Sequence, residues 1–320
     1  MKIFFAGGES MTRILKENKA ENVLSTFYYL RHKSDKKVEE ILSSFPYCFL
    51  DSGAFSFREQ MKDEGLTTRE MEHELQQYLK EYYNFLKEYG HRFFVVAELD
   101  VGNMYEKTKN REKLLELGLD NLLPVIHRRD TRAYIEFLCK KYPYVALGSV
   151  PGFSTNELFR YVGSRLRIAA KYGTRIHGFA ITDIEVMKKF PFFSCDSTTW
   201  LSGAKYGMSF WYDGHKLRSY DKFGKFHRMR WKRIVQEAGV NWDDFIGDKA
   251  EAVNQFSLKQ WIKFEKSMNI PTNGTGLYKQ KSEYFRYRPH SFEPYERGIY
   301  LPNYMEEDGS NGEQMERNDG

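Results

Sequence analysis

Three short apolar runs in this chain stop at an aspartate. Tyr47-Cys48-Phe49-Leu50 runs into Asp51, Phe93–Leu99 into Asp100, and Phe192-Phe193-Ser194-Cys195 into Asp196. Two more end at His127 and at Gly148-Ser149. A buried strand that finishes in a carboxylate or an imidazole puts a titratable group at the mouth of a sheet, where α/β enzymes gather their chemistry. Two carboxylates facing each other there can have pKa values driven apart by burial and mutual repulsion, so that one donates a proton while the other acts as base or nucleophile. Cleavage of a glycosidic bond with retention uses such a pair, and Asp51 and Asp196 are the candidates. Two other readings stay open at this level. Asp196 suits an N-cap for a helix beginning near Thr199. Aspartates and a histidine at strand ends also suit a metal hydrolase, although no HxH stands on an early strand and His127 is the one well-placed imidazole.

The elements that must position these residues follow from periodicity. Apolar runs at 2–6, 23–27, 47–50, 93–99, 122–126, 144–147, 176–181 and 192–195 read as eight strands alternating with helices. Nearly continuous apolar character indicates strands covered on both faces, hence a parallel sheet. Eight such units predict a (β/α)8 TIM barrel with its site at the carboxyl ends of the strands. An open doubly wound sheet is the runner-up, but no GxGxxG follows the first strand. His177 also belongs to the strand-end set but falls nearer the start of its run, which makes it the weaker member. Capping boxes at Thr67/Glu70, Ser154/Glu157 and Ser257/Gln260 mark helix starts, and Asp130 reads as a further cap.

After Trp200 the alternation stops. The chain divides into a barrel core at 1–204, a basic and aromatic insertion with a helical C-terminal part at 205–304, and an acidic tail at 305–320. Helices are expected at about 228–238 and 257–268, then an ordered wrap from Pro271. The tail holds six acids against one arginine, lacks aromatics and reads as disordered.

With 25 Phe and 22 Tyr in 320 residues there is ample material for a core. No run approaches the roughly 20 apolar residues of a membrane span, and the first is too short for a signal peptide. Cys48, Cys139 and Cys195 are scattered with no CxxC pair. That usage points to a reducing cytoplasm, without a disulfide frame or a cysteine-based zinc site. The net charge of +5 is modest, but nine Lys and Arg lie between Lys205 and Arg233, interleaved with Phe210, Trp211, Tyr212, Phe226 and Trp231. Such a mixture suits a phosphate backbone and unpaired bases, and equally a solvated surface.

Asp51-Ser52-Gly53-Ala54-Phe55-Ser56 resembles the DSGGFQ motif of the tRNA-guanine transglycosylase superfamily, whose members are (β/α)8 barrels. Further resemblances follow in the family's order. They are Glu98-Leu99-Asp100, Pro124-Val125-Ile126-His127, Ala146-Leu147-Gly148-Ser149-Val150, His177-Gly178-Phe179-Ala180 and Ser194-Cys195-Asp196. The resemblance covers roughly residues 45–200, and each motif is weak alone. It implies that Asp196 attacks the anomeric carbon and expels guanine, while Asp51 donates and then accepts the proton. It also implies that Asp100, His127 and the Gly148-Ser149 segment read the base, with Phe55 stacking on it. A 7-deazaguanine of the preQ0 kind would enter as co-substrate, and no other cofactor is needed.

The family's zinc motif, CxCxxC…H, has no counterpart, since no cysteine follows Cys195. His127 stands where the family has a glutamine, and Ala54 replaces the second glycine. These departures resemble the DNA-guanine transglycosylase branch of phages and mobile islands, which puts 7-deazaguanines into DNA and so protects it from restriction. DNA is then the implied partner and a monomer the favoured state. Base flipping needs basic and aromatic groups. Lys205, Arg218, Lys222 and Arg228 are the candidates for phosphate contact, and Trp211 or Tyr212 for the gap. A tRNA enzyme without zinc, or an idle barrel that only binds DNA, are the alternatives.

Overall fold

The computed structural model describes residues 1–102, 104–148, 150–220 and 229–268. Ser149, Lys222, Arg228, the segment from Pro271 and the acidic tail lie outside the described residues.

Nine parallel strands form one sheet: β1 Lys2–Ala6, β2 Asn22–Thr26, β3 Tyr47–Asp51, β4 Val95–Ala97, β5 Leu122–Leu123, β6 Val125–Ile126, β7 Tyr144–Leu147, β8 Arg175–Gly178 and β9 Ser194–Ser197. Their order is β5-β4-β3-β2-β1-β9-β8-β7-β6. The two outermost strands, β5 and β6, are consecutive in the chain and separated by Pro124 alone. The sheet therefore returns on itself, and the molecule is a (β/α)8 TIM-like barrel whose fifth stave is broken at a residue with no N–H for the ladder.

Alternation along the strands sorts the core into two layers. Phe4, Ala6, Leu24, Phe49, Val95, Ala97, Leu123, Val125, Tyr144, Ala146 and Phe193 pack together inside the barrel. Their neighbours Ile3, Phe5, Val23, Leu50, Val96 and Val145 face the helices. Both capping boxes read from Thr67/Glu70 and Ser154/Glu157 are formed, opening the Thr68–Tyr89 and Thr155–Lys171 helices. Asp130 does not cap: Thr131 does, and Asp130 is buried in an ion pair with Lys107 while accepting the His127 N–H at 2.7 Å.

The end of the chain differs from the expectation. The last described helix spans Ala250–Met268, so Ser257 and Gln260 lie inside it rather than at its start. Both are fully buried, and their side-chain oxygens accept the Phe210 and Tyr212 N–H groups of a Ser209–Tyr212/Leu217–Tyr220 hairpin. Glu265 Oε1 accepts from the Ile3 N–H at 2.8 Å and from Asn22 Nδ2 at 2.7 Å. Leu258, Trp261, Phe264 and Met268 share a core with Ile3, Phe5 and Leu15. This helix thus occupies the eighth outer position of the barrel, and the hairpin with its neighbouring short helices is an insertion between the eighth strand and the eighth helix. Among the described residues no helix is long and apolar enough to cross a membrane.

The seam at Pro124 is held by a buried ion pair. Glu98 is completely buried and receives Arg111 Nε at 2.5 Å and Nη2 at 3.1 Å. Its Oε1 also accepts the Val125 N–H at 2.7 Å, a donor turned toward β4. Removing the cation alone strands a buried carboxylate, which costs about 3 kcal/mol or more. Arg111→Met is expected to lose that much stability in chemical denaturation, and adding Glu98→Gln to recover most of it. A loss under about 1 kcal/mol, the size of a surface ion pair, would mean that the pair does not hold the seam.

Candidate active site

The carboxyl ends of the strands carry Asp51 on β3, Asp100 after β4, His127 after β6, Gly148 after β7 and Asp196 within β9. Each loop is pinned from behind. Tyr78 and Tyr82, one turn apart on the Thr68–Tyr89 helix and both fully buried, donate their hydroxyls to Ser52 O and Ala97 O at 2.6 Å. The first fixes the turn after Asp51 and the second the end of β4. Gly53 follows with φ of 74°, and a Cβ there would meet Tyr28 Cβ at 2.6 Å and Tyr78 Oη at 2.7 Å. Only glycine fits this turn in either respect. Trp200, also fully buried, donates Nε1–H to Ala6 O at 3.1 Å and ties the end of β9 to that of β1.

Asp196 is not a helix cap. Ser197 Oγ takes the Thr199 N–H instead. Register pairs Asp196 with Phe4, so its side chain points into the barrel, where it is 8% exposed. Its Oδ1 accepts the Ala180 N–H at 2.8 Å and lies 3.4 Å from His177 Nε2. Ala180 holds an unusual backbone, φ 52° without being glycine, a strained conformation of the kind that collects at functional sites. Among the described residues Oδ2 has no hydrogen bond, so the anchoring is on Oδ1.

His177 corrects the sequence reading. Its place nearer the start of its strand makes it the weaker member of the mouth by sequence, yet it is completely buried beside Asp196. Register explains this: His177 pairs with Ser194, only two residues before Asp196, and inward-facing groups on adjacent strands stack at that spacing.

Asp51 has a different environment. Burial first, then the charges of Asp100 and Asp196, push its carboxyl up to about 7. Asp100 Oδ2 sits 2.9 Å from His127 Nε2, although the pair lies outside hydrogen-bond alignment. A Cβ on Gly148 would come within 2.8 Å of His127 Nδ1. Asp100, His127 and Gly148 therefore form one patch, with the Gly148 N–H already given to Ile126 O at 2.8 Å. Phe55, in the first turn of the Ala54–Asp63 helix, is 62% exposed beside this mouth.

Glu9, in the first turn after β1, was missed in the sequence. It is buried with Oε2 unpartnered, its pKa is raised chiefly by burial, and its charge reaches Asp51. A carboxylate following Gly7-Gly8 at a first strand end was the available signal. No three His, Cys, Asp or Glu side chains among the described residues converge as a metal-binding group.

Of the nucleic-acid set, Lys222 and Arg228 lie outside the described residues, and Trp211 and Arg218 oppose each other across the hairpin. Lys205 is exposed. Arg218 is bound to Asp213, whose carboxyl is held well below the usual range by the Lys216 N–H, the Arg218 side chain and the His215 N–H. Trp211 and Tyr212, expected at the gap of a flipped base, are half-buried instead. Trp211 packs on Trp231 with centroids 5.8 Å apart, and Tyr212 on Phe264 at 5.7 Å. Comparison of the sequence with protein-family models and with curated proteins found no match.

The raised Asp51 carboxyl has a consequence for stability. Its pKa is above the ordinary value of an unfolded aspartate, so its contribution is fully present below about pH 4 and lost as pH rises through about 7. Asp51→Asn is expected to melt higher than wild type at pH 8 and to lose that advantage toward pH 4. Parallel melting curves across this range would contradict the assignment.

Proposed function

We propose that the protein is a base-exchanging transglycosylase acting on DNA, replacing guanine by a 7-deazaguanine base through a covalent glycosyl-aspartate. The observation that carries this reading is the division of labour between two carboxylates in one mouth. Asp51 keeps its proton to about pH 7, while Asp196 receives an N–H on Oδ1 and has no hydrogen bond on Oδ2 among the described residues. One suits a proton donor and the other a nucleophile.

In the first half-reaction Asp196 Oδ2 forms a bond to the anomeric carbon as the bond to guanine breaks, and Asp51 gives its proton to the departing base. In the second, Asp51 takes a proton from the incoming base, whose nitrogen displaces Asp196. Two inversions give net retention. One glycosidic bond is exchanged for another, so the reaction is close to neutral in free energy and needs no external energy source. A deoxyribose carbon lacks the electron-withdrawing 2′-hydroxyl, which eases departure of the base. Asp100 and His127, adjacent at 2.9 Å, would meet the polar edge of the base, and exposed Phe55 its face. The order of strand-end motifs shared with the tRNA-guanine transglycosylases supports the same chemistry, and the missing cysteine motif favours DNA over tRNA.

Covalent trapping tests the reading. Wild-type protein and Asp196→Ala are incubated with duplex DNA, single-stranded DNA or bulk tRNA, denatured, and examined for a mass shift. The expected result is an Asp196-dependent adduct with DNA that a 7-deazaguanine base discharges. An adduct with tRNA alone would replace DNA by tRNA, and firm DNA binding without any adduct would leave a binding barrel. Because Asp51 must be protonated to expel the base, adduct formation is expected to fall as pH rises through about 7. Asp51→Asn should lower the rate by about 100-fold or more and abolish that limb.

A further inference from the structure

Behind Asp196 runs a line of polar groups that the exchange as described does not use. Tyr144 on β7, His177 on β8 and Ser194 on β9 are all buried inside the barrel. Tyr144 Oη lies 2.5 Å from Ser194 Oγ, and Ser194 Oγ lies 2.7 Å from His177 Nδ1. The other ring nitrogen, Nε2, is 3.4 Å from Asp196 Oδ1 and has no hydrogen bond among the described residues. The imidazole is otherwise enclosed by Phe4, Phe49 and Phe179, with ring centroids 6.2, 4.7 and 4.6 Å away. A polar ring is costly among phenylalanines unless it is satisfied, and here its one open donor position faces the carboxylate.

The geometry points to His177 as a positioning residue that, as the neutral Nε2–H tautomer, holds Asp196 Oδ1 and presents Oδ2 for attack. This rests on the transglycosylase reading of Asp196. The tautomer follows from the charges. An ionised Asp196 requires a donor, so Nε2 carries the hydrogen and Nδ1 is left as acceptor. Ser194 must then donate to Nδ1 and accept from Tyr144, so all the hydrogens in the line point toward the carboxylate. Burial disfavours imidazolium, and among the described residues Asp196 is the charged group that acts on it. A neutral donor anchors the nucleophile without neutralising it.

The same two donors serve the return step. Once Oδ2 carries the sugar, Oδ1 is the ester carbonyl, still facing the Ala180 N–H and His177 Nε2. When the incoming base attacks the anomeric carbon, the Oδ2–carbon bond breaks and its electron pair returns to the carboxylate, whose charge both donors stabilise. His177 thereby acts on formation and on discharge of the adduct, and not on nucleic-acid affinity.

Two measurements test this. Long-range proton–nitrogen correlation spectra of protein carrying nitrogen-15 histidine, with His177 assigned by substitution, are expected to show a neutral Nε2–H ring. An Nδ1–H ring would overturn the proposal whatever the activity. The second measurement follows adduct formation on a guanine-containing DNA oligonucleotide. His177→Phe, which keeps the ring volume, should slow adduct formation and discharge by about 100-fold each, with oligonucleotide binding unchanged. His177→Gln, which restores an N–H near Nε2, should recover most of that loss. Tyr144→Phe and Ser194→Ala should give smaller losses of about 10-fold, and melting curves show that each variant is folded. Wild-type rates in His177→Phe would overturn the positioning role while the transglycosylase reading stands. Absence of any adduct from wild type would remove that reading instead, and the ring tautomer would then decide the line of hydrogen bonds by itself.

Discussion

A parallel sheet closes into a barrel only where its two edges can meet, and here that happens across a single proline. Pro124 gives no N–H, the Val125 N–H turns toward β4, and a buried Glu98 carboxylate meets it. The carboxylate is in turn held by Arg111 from the Met104–Leu115 helix, which also reaches the Tyr134 hydroxyl at 2.8 Å. One ion pair therefore joins the fourth strand, the broken fifth stave and two outer helices. Asp100 stands two residues beyond Glu98 and His127 three beyond Pro124, so the pair also sets where the patch they form lies.

Closure brings carboxylates from opposite sides of the sheet to one mouth, and their mutual field decides what each can do. Asp51 lies where burial and the charges of Asp100 and Asp196 act together, so it keeps its proton near neutrality. Asp196 is buried as well, with a backbone N–H on Oδ1 and the His177 ring nitrogen 3.4 Å from the same oxygen. The mouth is also supported through its backbone: two tyrosine hydroxyls, a glycine with positive φ and a tryptophan hold the loops that carry these groups.

The insertion shows how position in the chain and position in the fold can part. Its hairpin is stitched through buried Ser257 and Gln260 to the helix that completes the barrel. Trp211 and Tyr212 are consumed in that packing, whereas Lys205 stays exposed. A basic and aromatic composition therefore does not by itself distinguish a nucleic-acid track from the hydrophobic underside of an insertion.

Local patterns determined much of this protein. Eight apolar runs, two capping boxes and the aspartates at strand ends were readable because each depends on residues near in sequence. Strand burial, helix period and cap geometry are short-range properties. What needed tertiary structure was whatever depends on register or on groups far apart in the chain. Ser257 with Gln260 imitates a capping box, yet both oxygens answer amides some 50 residues earlier. His177 looked misplaced because its depth is measured against β9, whose alignment the residues of β8 do not encode. Asp51 and Asp196 are ordinary aspartates in the sequence. Only the closed barrel, by removing water and setting charges face to face, raised the pKa of one and anchored the other on a backbone N–H.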